Sequence, residues 1–144
     1  MNSKNKGEIG ERIAIGELAK FGIDVLIPLS DNLPFDFVVY YNDKMYKCQV
    51  KTSTSSGKQS TGSTEFELTS NNWNSKKIKK YTEDEVDIFI LCDLNSIYLF
   101  PFEDLKGRSS ISLRNETPKN GQVKNINLAS NFIINESRIG QVFR

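Results

Sequence analysis

The stretch from residue 33 to residue 53, LPFDFVVYYNDKMYKCQVKTS, decides how the rest of the chain is read. Phe35 to Tyr41 is aromatic and β-branched, which suits a strand. Met45 to Thr52 alternates more weakly. Asn42 and Asp43 lie between them and tolerate the positive φ angles of a tight hairpin turn. If these two form the loop, Tyr41 faces Lys44, Val39 faces Tyr46, Phe37 faces Cys48 and Phe35 faces Val50. That face is apolar and belongs to a core. On the other face Asp36 meets Gln49, with Lys51 two residues along the same strand. A one-residue slip would set Asp36 against Val50 and mix the faces. The register that burial prefers therefore gathers Asp36, Gln49 and Lys51.

An acid, an amide oxygen and a lysine on adjacent strands suit one hard divalent cation. The Asp36 carboxylate and the Gln49 side-chain oxygen can coordinate Mg²⁺ and leave positions for waters and phosphate oxygens. Lys51 can orient or help deprotonate an attacking water, or neutralise charge developing on phosphorus. An ordinary solvated hairpin carries the same residue types, so the motif needs support from elsewhere. Upstream, Asn5-x-x-Glu8 is a capping-box pattern that opens a helix to about Lys20, stopped by Gly22. Ile9, Ile13, Ala14, Leu18 and Phe21 give it an apolar face. The cap explains Glu8 but not Glu11. Glu11 shares a stripe with Ile15 and Leu18 and points to the core side, where an acid is costly unless paired or metal-linked.

Phe35-Asp36 followed by Gln49-Val50-Lys51 resembles the core of the PD-(D/E)XK nuclease superfamily. Gly7-Glu8-Ile9-Gly10-Glu11-Arg12 resembles the corresponding helix of archaeal Holliday-junction resolvases. The whole run from Lys6 to Thr52 looks more like the small endonucleases of this superfamily encoded by bacterial group I introns. Two positions depart from the general pattern. The motif proline sits at Pro34, with Phe35 in its usual place, and Gln49 replaces the usual Asp or Glu. The intron-endonuclease group is similar in having glutamine there.

The resemblance implies an α/β, restriction-endonuclease-like fold: a mixed central β-sheet flanked by helices, in one nuclease domain over residues 1–144. Residues 106–144 would then be an extension for oligomerisation or DNA contact. It implies Mg²⁺, with Mn²⁺ as a substitute, held by Asp36, Gln49, the backbone carbonyl of Val50 and Glu11, with Lys51 serving the water. It implies a homing endonuclease that cuts a long double-stranded DNA target as a homo-oligomer, dimer or tetramer, with no small-molecule cofactor. Two other readings stay open: a structure-selective resolvase, and a DNA-binding relative that has lost catalysis, with Gln49 as the relic.

Composition fits this frame. A chain of 144 residues is long enough for one domain with a proper core. The polar N-terminus reads as a helix and not as a signal peptide, and no apolar run approaches the ~20 residues of a membrane span. Cys48 and Cys92 fall in expected strands and suit buried, reduced thiols of a cytoplasmic protein. The absence of histidine excludes His-dependent nucleases, Ser-His triads and His zinc sites. Net charge is only +1, but it is segregated. Residues 1–43 carry four basic and seven acidic groups, and residues 44–80 carry eight and two. Residues 81–105 carry none and seven, and residues 106–144 seven and two.

The basic block holds two candidate DNA contacts. The polar run after Lys51 offers Ser53, Ser55, Ser56, Lys58, Gln59 and Ser60; it reads equally as a free hairpin tip or as a groove-reading loop. Residues 70–81, expected as a second helical segment, offer Trp73, Lys76, Lys77, Lys79 and Lys80 for phosphates. Strands are expected over Asp24–Leu29, Thr64–Leu68, Val86–Cys92, Ser96–Phe100 and Ser110–Arg114. Asp87 suits a strand-end turn, and Val123–Arg144 is helix or strand.

Overall fold

Asn42 and Asp43 both take positive φ, 51° and 61°, and turn β2 (Phe37–Tyr41) into β3 (Lys44–Thr52). This is a computed structural model, which describes residues 2–53, 62–72, 77–117, 119–121 and 126–144. The hairpin pairs Tyr41 with Lys44, Val39 with Tyr46 and Phe37 with Cys48, the register that burial of Phe37, Val39, Cys48 and Val50 requires. The ladder ends there. The Asp36 N–H donates to the Cys48 carbonyl at 2.9 Å, so the expected Asp36–Gln49 pair is not part of the ladder.

Around the hairpin runs a mixed sheet of order β1-β2-β3-β7-β8. β1 (Asp24–Leu26) is an edge strand, shorter than expected; β7 (Ile88–Cys92) lies parallel to β3, and β8 (Ile97–Pro101) antiparallel to β7. β7 is buried along its whole length, because it is covered on both faces. Ile88, Ile90 and Cys92 join one core with Ala14, Leu18, Phe37, Val39 and Cys48. Phe89 and Leu91 join a second core with Phe66, Leu68, Ile111 and Leu113. The first is closed by α1 (Ser3–Lys20) and α3 (Glu136–Val142). The second is closed by β4 (Ser63–Glu67) paired with β9 (Ser110–Arg114), and by the one-turn α2 (Phe102–Leu105). Cys48 and Cys92 are both free and buried.

The described parts of the expected helical segment, residues 70–72 and 77–80, are strand and not helix. β5 (Thr69–Asn72) pairs antiparallel with β6 (Lys77–Lys80), and every residue of β6 is exposed. With all four of its residues exposed, β6 has no buried face to hold a helix against the body. The two strands instead form a ribbon.

The C-terminal residues form a helix whose N-cap, Asn135, accepts from the Arg138 N–H. Ile139, Val142 and Phe143 enter the first core, and the Phe143 ring meets Tyr46 edge-on at 5.1 Å. The Asp87 carboxylate accepts from the Lys47 N–H at 2.8 Å, a strand-end role remote from the cleft described below.

α1 starts one turn earlier than the capping-box pattern suggests. Asn2 is the cap and accepts from the Asn5 N–H at 2.9 Å; Gly22, at φ +71°, ends the helix. Its buried residues are Gly10, Ala14 and Leu18, while Phe21 is 36% exposed and lies off that face. Gly10 is where the helix touches β3. A Cβ there would sit 2.1 Å from the Thr52 hydroxyl oxygen. Gly10→Ala should therefore destabilise the fold by about 1–3 kcal/mol, the usual cost of overpacking. Adding Thr52→Ala should restore most of the loss in a denaturant melt.

Candidate active site

The close approach at Gly10 brings the next residue, Glu11, to the end of the β2–β3 hairpin. Glu11, Asp36, Gln49, Val50 and Lys51 line one open cleft of about 540 Å³, with Thr69 and Ser70 of β5 on its far side. A second hollow of about 480 Å³ shares Asp36, Gln49 and Ser70 and is flanked by the 31–34 loop, Lys79 and Tyr81. The two form one trough that passes over Asp36 and Gln49.

Asp36 sits where β2 leaves the ladder. Its carboxylate, no longer matched by backbone, accepts from the Val50 N–H at 2.7 Å. Burial raises its pKa, while the Val50 N–H, the Glu11 carboxyl and the Lys51 charge pull it down. Burial pushes the Glu11 carboxyl up to about 7, reinforced by the charge of Asp36 and a hydrogen bond to it. Both acids are raised by burial, and the hydrogen bond between them acts in opposite directions, raising Glu11 and lowering Asp36.

Lys51 extends from β3 toward the ribbon. Its ammonium donates to the Thr69 carbonyl at 2.9 Å and lies 4.9 Å from the centre of the Tyr81 ring. Burial lowers its pKa, against the attraction of Asp36 and Glu67. The Gln49 amide makes only a long contact, 3.5 Å, to the Val50 carbonyl.

The donors facing the cleft are carboxylate, amide and carbonyl oxygens, a hard set that suits Mg²⁺ or Mn²⁺. Two half-buried acids sharing a proton also mark a place short of positive charge. Among the described residues there is no group of three or more His, Cys, Asp or Glu side chains that could hold a metal. A cation here would therefore draw on Asp36 and Glu11 with the amide of Gln49 or the carbonyl of Val50. The donor set fits the ion.

The expected DNA contacts divide. Ser55, Ser56, Lys58, Gln59, Ser60, Trp73 and Lys76 lie outside the described residues. Ser53 is buried at the cleft floor, where its N–H donates to the Cys92 carbonyl. Lys77, Lys79 and Lys80 stand exposed on β6; Lys79 pairs with Glu85 at 2.9 Å and Lys80 donates to the Gly107 carbonyl. Thr69, Ser70 and Tyr81 were not singled out from sequence. Only recognition that Thr69–Asn72 pairs with Lys77–Lys80 would have brought them to Lys51.

The acid pair gives a stability test. The folded state raises the Glu11 pKa from 4.5 to about 7, so it holds a proton that the unfolded chain has released across that window. That stabilisation is complete below about pH 4.5 and is lost as pH rises through about 7. After allowance for solvent screening of a half-exposed group, the ionised form costs about 1–2 kcal/mol. In EDTA at pH 8, Glu11→Gln should melt about 4 °C above wild type, and at pH 4.5 the two should converge.

A family model for the PD-(D/E)XK endonuclease matches residues 1–135. Among solved structures, the bacterial homing endonuclease I-Ssp6803I superposes with a TM-score of 0.68 at 25% identity, covering 99% of this chain and 91% of its own. MepB gives a TM-score of 0.37 at 14% identity, covering 91% and 89%. No curated protein matches the chain. The mixed α/β architecture agrees with the family match over nearly the whole sequence, and the chain belongs to the PD-(D/E)XK endonuclease family.

Proposed function

We propose that the protein is a divalent-metal-dependent DNA endonuclease of the homing type, cutting a long duplex target as a homo-oligomer. The observation that carries the catalytic part is the convergence of Glu11, Asp36, Gln49 and Lys51 on one open trough. Asp36 and Gln49 would hold Mg²⁺, with the Val50 carbonyl and Glu11 completing the set. When bound there, the ion supplies Lewis acidity to the scissile phosphate and makes its water more acidic. Asp36 is fixed for this by the Val50 N–H. Lys51 keeps its ammonium at the trough, where it steadies the attacking water and offsets negative charge developing on phosphorus. Glu11, whose carboxyl would give up its proton when a cation binds there, positions the same water.

The trough is open enough for a nucleic-acid strand, and the exposed β6 lysines beside it suit phosphates. The homing and duplex-target parts are supported by the likeness to a bacterial homing endonuclease. The homo-oligomer reading draws on the sheet itself. Leu26, opposite Val38, and the pair Tyr40–Met45 lie on the face of β1, β2 and β3 away from α1, with Leu26, Tyr40 and Met45 48%, 42% and 64% exposed. Ile27 and Leu29, just beyond β1, are 61% and 108% exposed. A second copy on this face would cover them and supply the second site that a double-strand cut needs.

Nicking of supercoiled plasmid with Mg²⁺, with Mn²⁺ and with EDTA tests the activity. Cutting with either metal and none in EDTA is expected, and an inert protein under all three would remove the proposal. Light scattering should give a dimer or tetramer that Leu29→Glu shifts toward monomer. A wild-type monomer with and without DNA would refute the assembly.

A further inference from the structure

Both legs of the β5–β6 ribbon meet Lys51 at their base. Thr69 opens one leg and pairs with Lys80, and Tyr81 follows Lys80 on the other. The Thr69 carbonyl accepts a hydrogen bond from the Lys51 ammonium, and Tyr81 presents its ring to the same ammonium. The ring is itself held from two sides. It meets Phe89 of the central strand edge-on at 5.7 Å, and its hydroxyl is hydrogen-bonded with Ser70. A free lysine samples many rotamers; this one is held between a fixed acceptor and a fixed π face.

We propose that Tyr81 is a positioning residue for Lys51: its ring, anchored on Phe89 and Ser70, holds the ammonium against the Thr69 carbonyl at the edge of the trough. The inference rests on the nuclease reading for what Lys51 does there. Tyr81 acts through Lys51 and not on the substrate. The ribbon that carries the β6 lysines is then also the element that seats the lysine, so a duplex resting on the ribbon bears on the same two residues.

Shape and ring charge can be separated at this position. Phenylalanine keeps both, whereas pentafluorophenylalanine keeps the shape and removes the negative face. Single-turnover cleavage by Tyr81→Phe should stay within about threefold of wild type. The fluorinated residue at 81 should slow cleavage about tenfold, with DNA affinity unchanged. Equal rates for the two rings would overturn the proposal, since a role confined to packing on Phe89 predicts that result.

A second measurement needs no activity. The ε-methylene protons of Lys51 should resonate upfield of other lysines through the ring current of Tyr81, and Tyr81→Leu should return them to the ordinary range. If Tyr81→Leu does not fold, the comparison of the two rings decides. A Lys51 resonance indifferent to Tyr81→Leu would overturn the inference. A wild-type protein that never cuts DNA would remove the nuclease reading, while the Lys51 resonance still reports whether the contact exists.

Discussion

Asp36→Asn and Lys51→Ala are expected to stop cleavage while leaving DNA affinity within about threefold of wild type. The reason lies in what each group does in the trough. Asp36 accepts from the Val50 N–H and faces Glu11 and Lys51, so its charge serves the cleft and not the duplex surface. Asparagine can keep the Val50 hydrogen bond through its carbonyl oxygen but brings no charge to a cation. Lys51 is drawn inward by Thr69 and Tyr81. Its removal leaves the exposed β6 lysines, and any phosphate contact they make, in place. In the proposed mechanism both groups act on charge that appears in the transition state. The loss of either should therefore raise the barrier by about 4 kcal/mol or more, roughly a thousandfold in rate. Gel-shift binding and single-turnover cleavage on one duplex check both halves. Joint loss of binding and cleavage would place these residues in the DNA contact surface instead.

The second large effect is expected at Gln49. A neutral amide oxygen leaves the site one negative charge short of an Asp or Glu at the same place, so the metal should bind more weakly than with a carboxylate. Gln49→Glu should lower the Mg²⁺ concentration at half-maximal cleavage and keep part of the activity. It adds an acid beside Asp36 and Glu11, so the variant should also be less stable in EDTA and regain the loss on adding metal. Gln49→Ala removes the donor and should raise the Mg²⁺ requirement about tenfold or more. The observed contact of Gln49 with the Val50 carbonyl is long, so turning the amide oxygen toward a cation breaks no strong bond. Coincident Mg²⁺ titration curves for wild type and both variants would show that Gln49 is not a ligand.

The hairpin was legible because two constraints agreed. Asn42 and Asp43 demanded a tight turn, and the apolar parity of Phe37, Val39, Cys48 and Val50 demanded one register. β7 and β8 were legible as apolar runs either side of Asp93-Leu94-Asn95, whose Leu94 takes φ +74°. Glu11 stood out as an acid on a helix stripe directed at the core, and it does reach Asp36. Parity failed at the position where it was carried past the ladder. Once Asp36 donates its N–H to Cys48, its side chain answers to the Val50 amide and no longer to Gln49.

The ribbon was illegible for a different reason. Periodicity records burial, and a strand that is exposed at all four residues leaves no apolar trace. The start of α1 was misplaced because Asn2 and Asn5 are equally good cap residues three apart, and only the coordinates show which side chain accepts. The seven residues of α3 are too few to establish a helical period, and the Phe143 ring that follows them packs on Tyr41 and Tyr46, distant in sequence.

The claim that most needs a direct test is that Asp36, Gln49 and Glu11 surround a cation position. Crystals soaked in Mn²⁺ and measured for anomalous scattering give that test without assuming a substrate. The account predicts one strong anomalous peak in the trough, within bonding distance of an Asp36 carboxylate oxygen, lost in Asp36→Asn. A wild-type peak elsewhere on the molecule, or none at Mn²⁺ concentrations that support cleavage, would contradict it.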